Sequence, residues 1–157
     1  MKSLLLAALV LVSANASAEG QIASLVNFES TATRPDSRNE QSNVTSIGYA
    51  AMEYTLPENI SFYGGFSFVI GETFESGATV GSRFYSATPA FQIFPGIPMW
   101  SFIGGGISFL GDTVYYPEAG FRIAASDTSR LDVYVKILNS SNETYDKHVM
   151  IGAGLTF

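Results

Sequence analysis

The sequence predicts an all-β chain, an eight-stranded antiparallel transmembrane β-barrel. Three observations carry this. Several segments alternate apolar and polar residues with a period of two, which places one greasy face on a strand. Eight such segments can be placed, and the connections between them alternate between short turns and mostly longer loops. Charged residues make up only 14% of the chain, against aromatics at 13% and 15 glycines, and there is no Lys/Glu-rich helical pattern.

The chain opens with Lys2, a nine-residue apolar run from Leu4 to Val12, and Ala16-Ser17-Ala18. A basic start, a short apolar core and an A-x-A site predict a cleavable secretory signal peptide over residues 1–18. The apolar run is too short for a membrane-spanning helix. Residues 19–157 then form one domain of 157 − 18 = 139 residues. There is no cysteine, so an exported domain must be held by backbone pairing and packing. Losing Lys2 leaves 7 basic and 14 acidic residues, a net charge of −7. That balance argues against nucleic-acid binding, which needs basic residues on phosphates.

The strand segments run roughly over 20–28, 44–54, 60–70, 78–94, 99–110, 114–126, 131–139 and 148–157. Most approach the ~9–11 residues that a tilted strand needs to cross a bilayer. In 60–70, Ile60, Phe62, Gly64, Phe66, Phe68 and Ile70 oppose Ser61, Tyr63, Gly65, Ser67 and Val69. In 117–126, Ala119, Phe121, Ile123 and Ala125 oppose Glu118, Gly120, Arg122, Ala124 and Ser126. In 131–138, Leu131, Val133, Val135 and Ile137 oppose Asp132, Tyr134, Lys136 and Leu138. The second and fifth segments are ambiguous in phase. Pro89 cannot donate to a sheet ladder, so the fourth segment should carry a bulge or a shorter paired region.

Phe91 to Leu110 holds no charge, yet Pro95, Pro98 and Gly104-Gly105-Gly106 argue against a helix there. Pro95–Pro98 reads as a tight turn. With Thr55–Asn59 and Asp127–Arg130 it forms a set of short connections on one side. The opposite set is Glu29–Asn43, Gly71–Gly77, about Gly111–Thr113 and about Ser140–Lys147. Short periplasmic turns and longer outer loops are the pattern of membrane barrels; the third outer connection, no longer than a turn, fits it least.

The same alternation suits a soluble barrel with its apolar face inward. The two differ in where the charges go. With the apolar faces toward lipid, Arg83, Glu118, Arg122, Asp132 and Lys136 form a paired network inside the barrel. The membrane reading is the favoured one. It draws on the terminal Phe157, on closure without a sheet edge, and on aromatics near strand ends suited to interfacial girdles (Phe28, Tyr54, Phe62, Trp100, Tyr115, Tyr116, Phe157). Gly104-Gly105-Gly106 is read as a site of curvature or of close packing against bulky interior groups.

The last strand, HVMIGAGLTF, places Val149, Ile151, Ala153, Leu155 and Phe157 on one face. With the leader and the eight segments, it makes the chain resemble the small eight-stranded outer-membrane barrels of Gram-negative bacteria, of the outer membrane protein X and outer membrane protein A membrane-domain type. The resemblance is architectural and covers residues 19–157. It implies outer-membrane localisation, contact with outer-membrane lipids and lipopolysaccharide, and a last strand read by the barrel-assembly machinery after delivery by periplasmic chaperones.

A structural or surface-interaction role, in adhesion or envelope integrity, is therefore expected of a monomer without cofactor that is not an open porin. Loops 29–43 and 139–147 are where a surface ligand would bind. A lipid A-modifying enzyme is the competing class, because His148 lies near Ser140, Ser141, Glu143 and Asp146. The resemblance speaks against it: barrel deacylases carry His-x-Ser on one strand, and here Val149 and Met150 follow His148. A soluble lipocalin-like binder of a lipophilic ligand is the other alternative. No metal motif is present; the acidic pairs Glu143/Asp146 and Glu72/Glu75 read as solvated loop charge.

Overall fold

A computed structural model of the chain describes residues 20–33, 44–71, 74–94 and 96–157. The expected leader at 1–18, most of the polar loop after the first strand, and Glu72 lie outside the described residues. The strands in chain order are β1 (Gln21–Thr33), β2 (Val44–Thr55), β3 (Ile60–Gly71), β4 (Glu75–Tyr85), β5 (Phe91–Phe94), β6 (Ile97–Leu110), β7 (Asp112–Ala124), β8 (Arg130–Ile137), β9 (Asn139–Ser140) and β10 (Val149–Thr156).

Eight of these close into an antiparallel barrel. Each of β1, β2, β3, β4, β6, β7 and β8 pairs with the next long strand, and β10 lies between β8 and β1. The ring leaves no unpaired edge among the long strands, so every ladder finds its partner internally. The two short strands are accessories: β5 pairs with the start of β6, and β9 with Val114 and Tyr115 of β7.

One expectation about strand limits is corrected, and two are met: the interruption at Pro89 and the turn-length third outer connection. The first strand does not stop at residue 28. Its ladder with β2 runs to Ser30 and that with β10 to Thr33, so Glu29 belongs to the barrel wall rather than to the loop. The fourth segment is two strands. β4 ends at Tyr85 and β5 starts at Phe91, and both pair with β6 on the same side. Pro89 sits in the interruption, between hydrogen bonds from Ser86 N to Ser101 O and from Ala90 N to Met99 O, 2.8 Å each. The third outer connection is a tight turn: β6 and β7 stay paired up to Leu110 and Asp112, with Gly111 at φ +27°.

The wall has one apolar and one polar face, and the apolar face is outside. Along β8, Asp132, Tyr134 and Lys136 are buried while Val133, Val135 and Ile137 are 41–45% exposed. Along β10, Met150, Gly152, Gly154 and Thr156 turn inward, and Ile151, Ala153 and Leu155 outward. Every barrel strand adds at least one exposed large apolar side chain to the outer belt. Among the described residues, no charged side chain lies on that outer face between the strand ends.

The interior is layered. At the loop end, Val44, Ile47, Val69, Leu110, Val114, Leu138, Tyr145 and Met150 form a buried apolar plug. Tyr145 comes from the loop before β10 and is 2% exposed; its hydroxyl bonds Glu75. Burial first, then this carboxylate, hold the phenol above its ordinary pKa. Below the plug lie the charged layers, then an open mouth at the end with the short turns. Two of the expected girdle aromatics belong to this interior: Tyr116 is buried, and Trp100 lines the mouth. Phe28, Tyr54, Phe62, Tyr115 and Phe157 face outward.

Candidate functional site: the barrel interior and its open mouth

The inward positions of β1, β2, β4, β7 and β8 bring seven charged side chains together. Arg83, Glu118, Arg122, Asp132 and Lys136 are all buried there, and so are Glu29 and Glu53. The sequence reasoning missed the last two. Glu29 opens a polar run that reads as a loop. Glu53 lies on the second segment, where inward Tyr49 and Ala51 are as apolar as outward Ala50 and Tyr54, so the alternation gives no phase.

Arg83, fully buried, is the hub. Its Nε donates to Glu118 Oε1 at 2.9 Å and its Nη2 to Glu118 Oε2 at 3.2 Å. Nη1 donates to Asp132 Oδ2 at 2.8 Å, and Nη2 also reaches the Tyr49 hydroxyl at 3.2 Å. Three rings surround the guanidinium, Phe102 at 4.6 Å, Tyr63 at 5.1 Å and Tyr134 at 5.3 Å from its carbon. A planar donor fork and ring faces suit a desolvated Arg better than they would a Lys.

Arg122 makes the second fork, with Nε and Nη2 each 2.7 Å from an Asp132 oxygen. Its Nη1 lies 2.8 Å from Glu53 Oε2, at ion-pair distance but without hydrogen-bond alignment. Ser61 and Tyr85 donate to the other Glu53 oxygen at 2.7 and 2.9 Å. Lys136 pairs with Glu29 and stands 3.8 Å from Glu118 Oε2, under the rings of Tyr116 and Tyr49. A tyrosine and threonine chain completes the lattice. Tyr63 donates to Glu118 at 3.0 Å, and Tyr116 joins Tyr63 and Thr79 at 3.1 and 2.9 Å.

Glycines on the inward face make these cross-strand contacts possible. Arg83 and Glu118 are both registered against Gly104 of the strand between them, and their side chains meet over it. A Cβ at Gly104 would stand 2.4 Å from Ser82 O and 3.1 Å from Arg83 Cγ. Tyr134 crosses Gly152 to reach Glu29 at 2.9 Å. Tyr63 and Tyr116 meet over Gly81 and Gly106. Gly104 and Gly106 are thus close-packing positions.

His148 is buried at the loop end, on the inward face. Its Nδ1 lies 3.0 Å from Asp146 O, and Ser140 Oγ donates to Thr113 O at 2.9 Å. These side chains hold loop backbone in place. Among the described residues no group of three or more His, Asp or Glu is arranged to hold a metal.

The interior opens at the short-turn end in a mouth of about 430 Å³. Its floor is Arg122, Glu53, Tyr85 and Thr156, and Trp100, Ala23 and Asn59 form its walls. Toward the loop end, a void of about 10 Å³ beside Lys136 and Glu29 leaves room for a single water. The chain matches no protein-family model and no curated protein.

Proposed function

We propose that this chain is an outer-membrane barrel with a closed lumen, serving a structural or surface-interaction role rather than acting as a porin or an enzyme. One observation carries the reading: the polarity of the wall is inverted relative to a water-soluble barrel. Seven charges are buried inside, while the outer face between the strand ends is apolar and uncharged. In water that arrangement would expose a continuous greasy belt and bury ions at a cost of several kcal/mol each, on the order given by desolvation. In a bilayer the belt meets acyl chains, and the ions pair in the only polar space available.

The lumen argues for closure. An apolar plug, two bidentate arginine–carboxylate forks and a lysine pair occupy it in succession. Lipid and lipopolysaccharide are the partners of the outer belt. The outward residues of the last strand, Val149, Ile151, Ala153, Leu155 and Phe157, are what the assembly machinery would read. The segment after Thr33 and the loop 141–147 are where a surface ligand would bind.

The test is electrophoresis of the detergent-extracted membrane fraction, boiled against unboiled, with osmotic-shock fluid alongside. A heat-dependent mobility shift and absence from the shock fluid are expected. Release into the shock fluid with no shift would overturn the reading. In planar bilayers the purified protein is expected to give no steady single-channel current; open-pore conductance would sink the closed-lumen part alone.

A further inference from the structure

We infer that the mouth at the short-turn end is a binding site for a neutral carbohydrate. The inference rests on the cavity's own chemistry and stands whether or not the wall faces lipid.

The mouth's volume, about 430 Å³, lies within the range of small-ligand pockets. Its one floor cation, Arg122, is already held by Asp132 as well as by Glu53. Glu53 and Arg122 are paired with each other in the floor, and Arg130 and Asp127 sit at the rim. Arg130 Nη1 donates to the carbonyls of Ser126 and Ser129, at 2.7 and 3.1 Å. No floor cation is therefore free to hold an anion.

Most of what is left uncommitted is neutral. Gln21, Thr55, Asn59, Thr128 and the Trp100 indole N–H line the mouth, and none of these side-chain groups has a hydrogen-bond partner among the described residues. Amides and hydroxyls that both donate and accept match a polyol, whose every hydroxyl does the same. Trp100 adds the second element of sugar recognition, a flat indole on which the C–H face of a pyranose stacks while its rim hydroxyls reach polar groups. A lipophilic ligand would leave those amides desolvated and unpaired, which costs about 1–3 kcal/mol each.

Trp100 is the only tryptophan in the chain, so its emission reports on this cavity alone. The folded protein is held in an amine-oxide detergent, which has no sugar headgroup, and titrated with N,N′-diacetylchitobiose and with maltose. A saturable change in emission is expected for at least one, with half-saturation on the order of 1 mM, because each hydrogen bond is exchanged against water. Ala23→Phe fills the mouth from its wall and should weaken that binding at least about tenfold, while leaving the heat-dependent gel mobility unchanged. Gln21→Ala, at the rim, should weaken it less. No saturable change with either sugar, or saturation unmoved by Ala23→Phe in a protein that still folds, overturns the proposal. If the protein proves soluble, the same titration runs in buffer, so this proposal fails or stands separately from the membrane reading.

Discussion

Arg83 and Glu118 are held two strands apart by the sheet and joined at 2.9 Å across its face, with only Gly104 between them. The pair exists because the intervening residue has no side chain. The same device recurs at Gly152, where Tyr134 reaches Glu29. Glycine in this chain therefore acts as the complement of the large polar side chains.

Gly104→Ala should destabilise the barrel by about 1–3 kcal/mol, because the new methyl meets backbone and the Arg83 stem. Gly64→Ala is the control, since its Cβ would find only ordinary contacts at 3.6 Å and beyond. That change should be neutral or stabilise by a few tenths of a kcal/mol through the unfolded chain. Urea unfolding of the two variants, followed by tryptophan emission in micelles, measures both. Equal midpoints would refute the spacer role.

Removing the hub strands its partners. Arg83→Met leaves Glu118 with Lys136 at 3.8 Å as its remaining cation, and the expected loss is about 3–5 kcal/mol. Asp132 keeps its fork with Arg122, so the loss falls mainly on Glu118. Adding Glu118→Gln to Arg83→Met should then recover part of the stability. A double-mutant cycle from unfolding midpoints reads the coupling; strictly additive losses would mean the two side chains do not support each other.

The outer face makes the sharpest contrast between the two environments. Ile103, mid-way along β6, is 67% exposed. In a bilayer Ile103→Arg should cost about 2–4 kcal/mol, whereas Ile97→Arg at the strand end should cost about 0–1 kcal/mol. On a water-facing wall both changes would stay within about 0.5 kcal/mol. Unfolding in lipid vesicles gives the two values, and a flat response along β6 would argue against the membrane setting.

The legibility of the chain follows the alternation. β3, β8 and β10 were readable because each sets a run of aliphatic or aromatic residues against polar or small ones. Five of the buried charges lay on segments whose wall phase or neighbours could be followed. Glu53 was hidden because the interior of β2 is lined by Tyr49 and Ala51, so both faces look apolar. Glu29 was hidden by its neighbourhood, since a polar run follows it and a propensity reading ends the strand early. Its own pattern does continue: Leu25, Asn27 and Glu29 inward against Val26, Phe28 and Ser30. Trp100 is a different case. Sequence locates an aromatic near a strand end, but only the register against Arg122 shows that it points into the mouth.

Glu29 is the residue through which this reading can be tested from the interior. It accepts from Tyr134 at 2.9 Å and is paired with Lys136, and it sits on the wall of the small void beside that lysine. Tyr134→Phe removes one hydrogen bond to a buried carboxylate and keeps the ring over Gly152, so a loss of about 1.5–3 kcal/mol is expected. Glu29→Gln removes the counter-charge of Lys136 and should cost more, about 3–5 kcal/mol. In the Glu29→Gln background the Tyr134→Phe change should shrink to about 1 kcal/mol, because a neutral acceptor replaces a charged one. Unfolding midpoints of the three variants test the ordering. If Glu29→Gln were as stable as the parent, the carboxylate would not belong to the interior network, and β1 would end where the polar run begins.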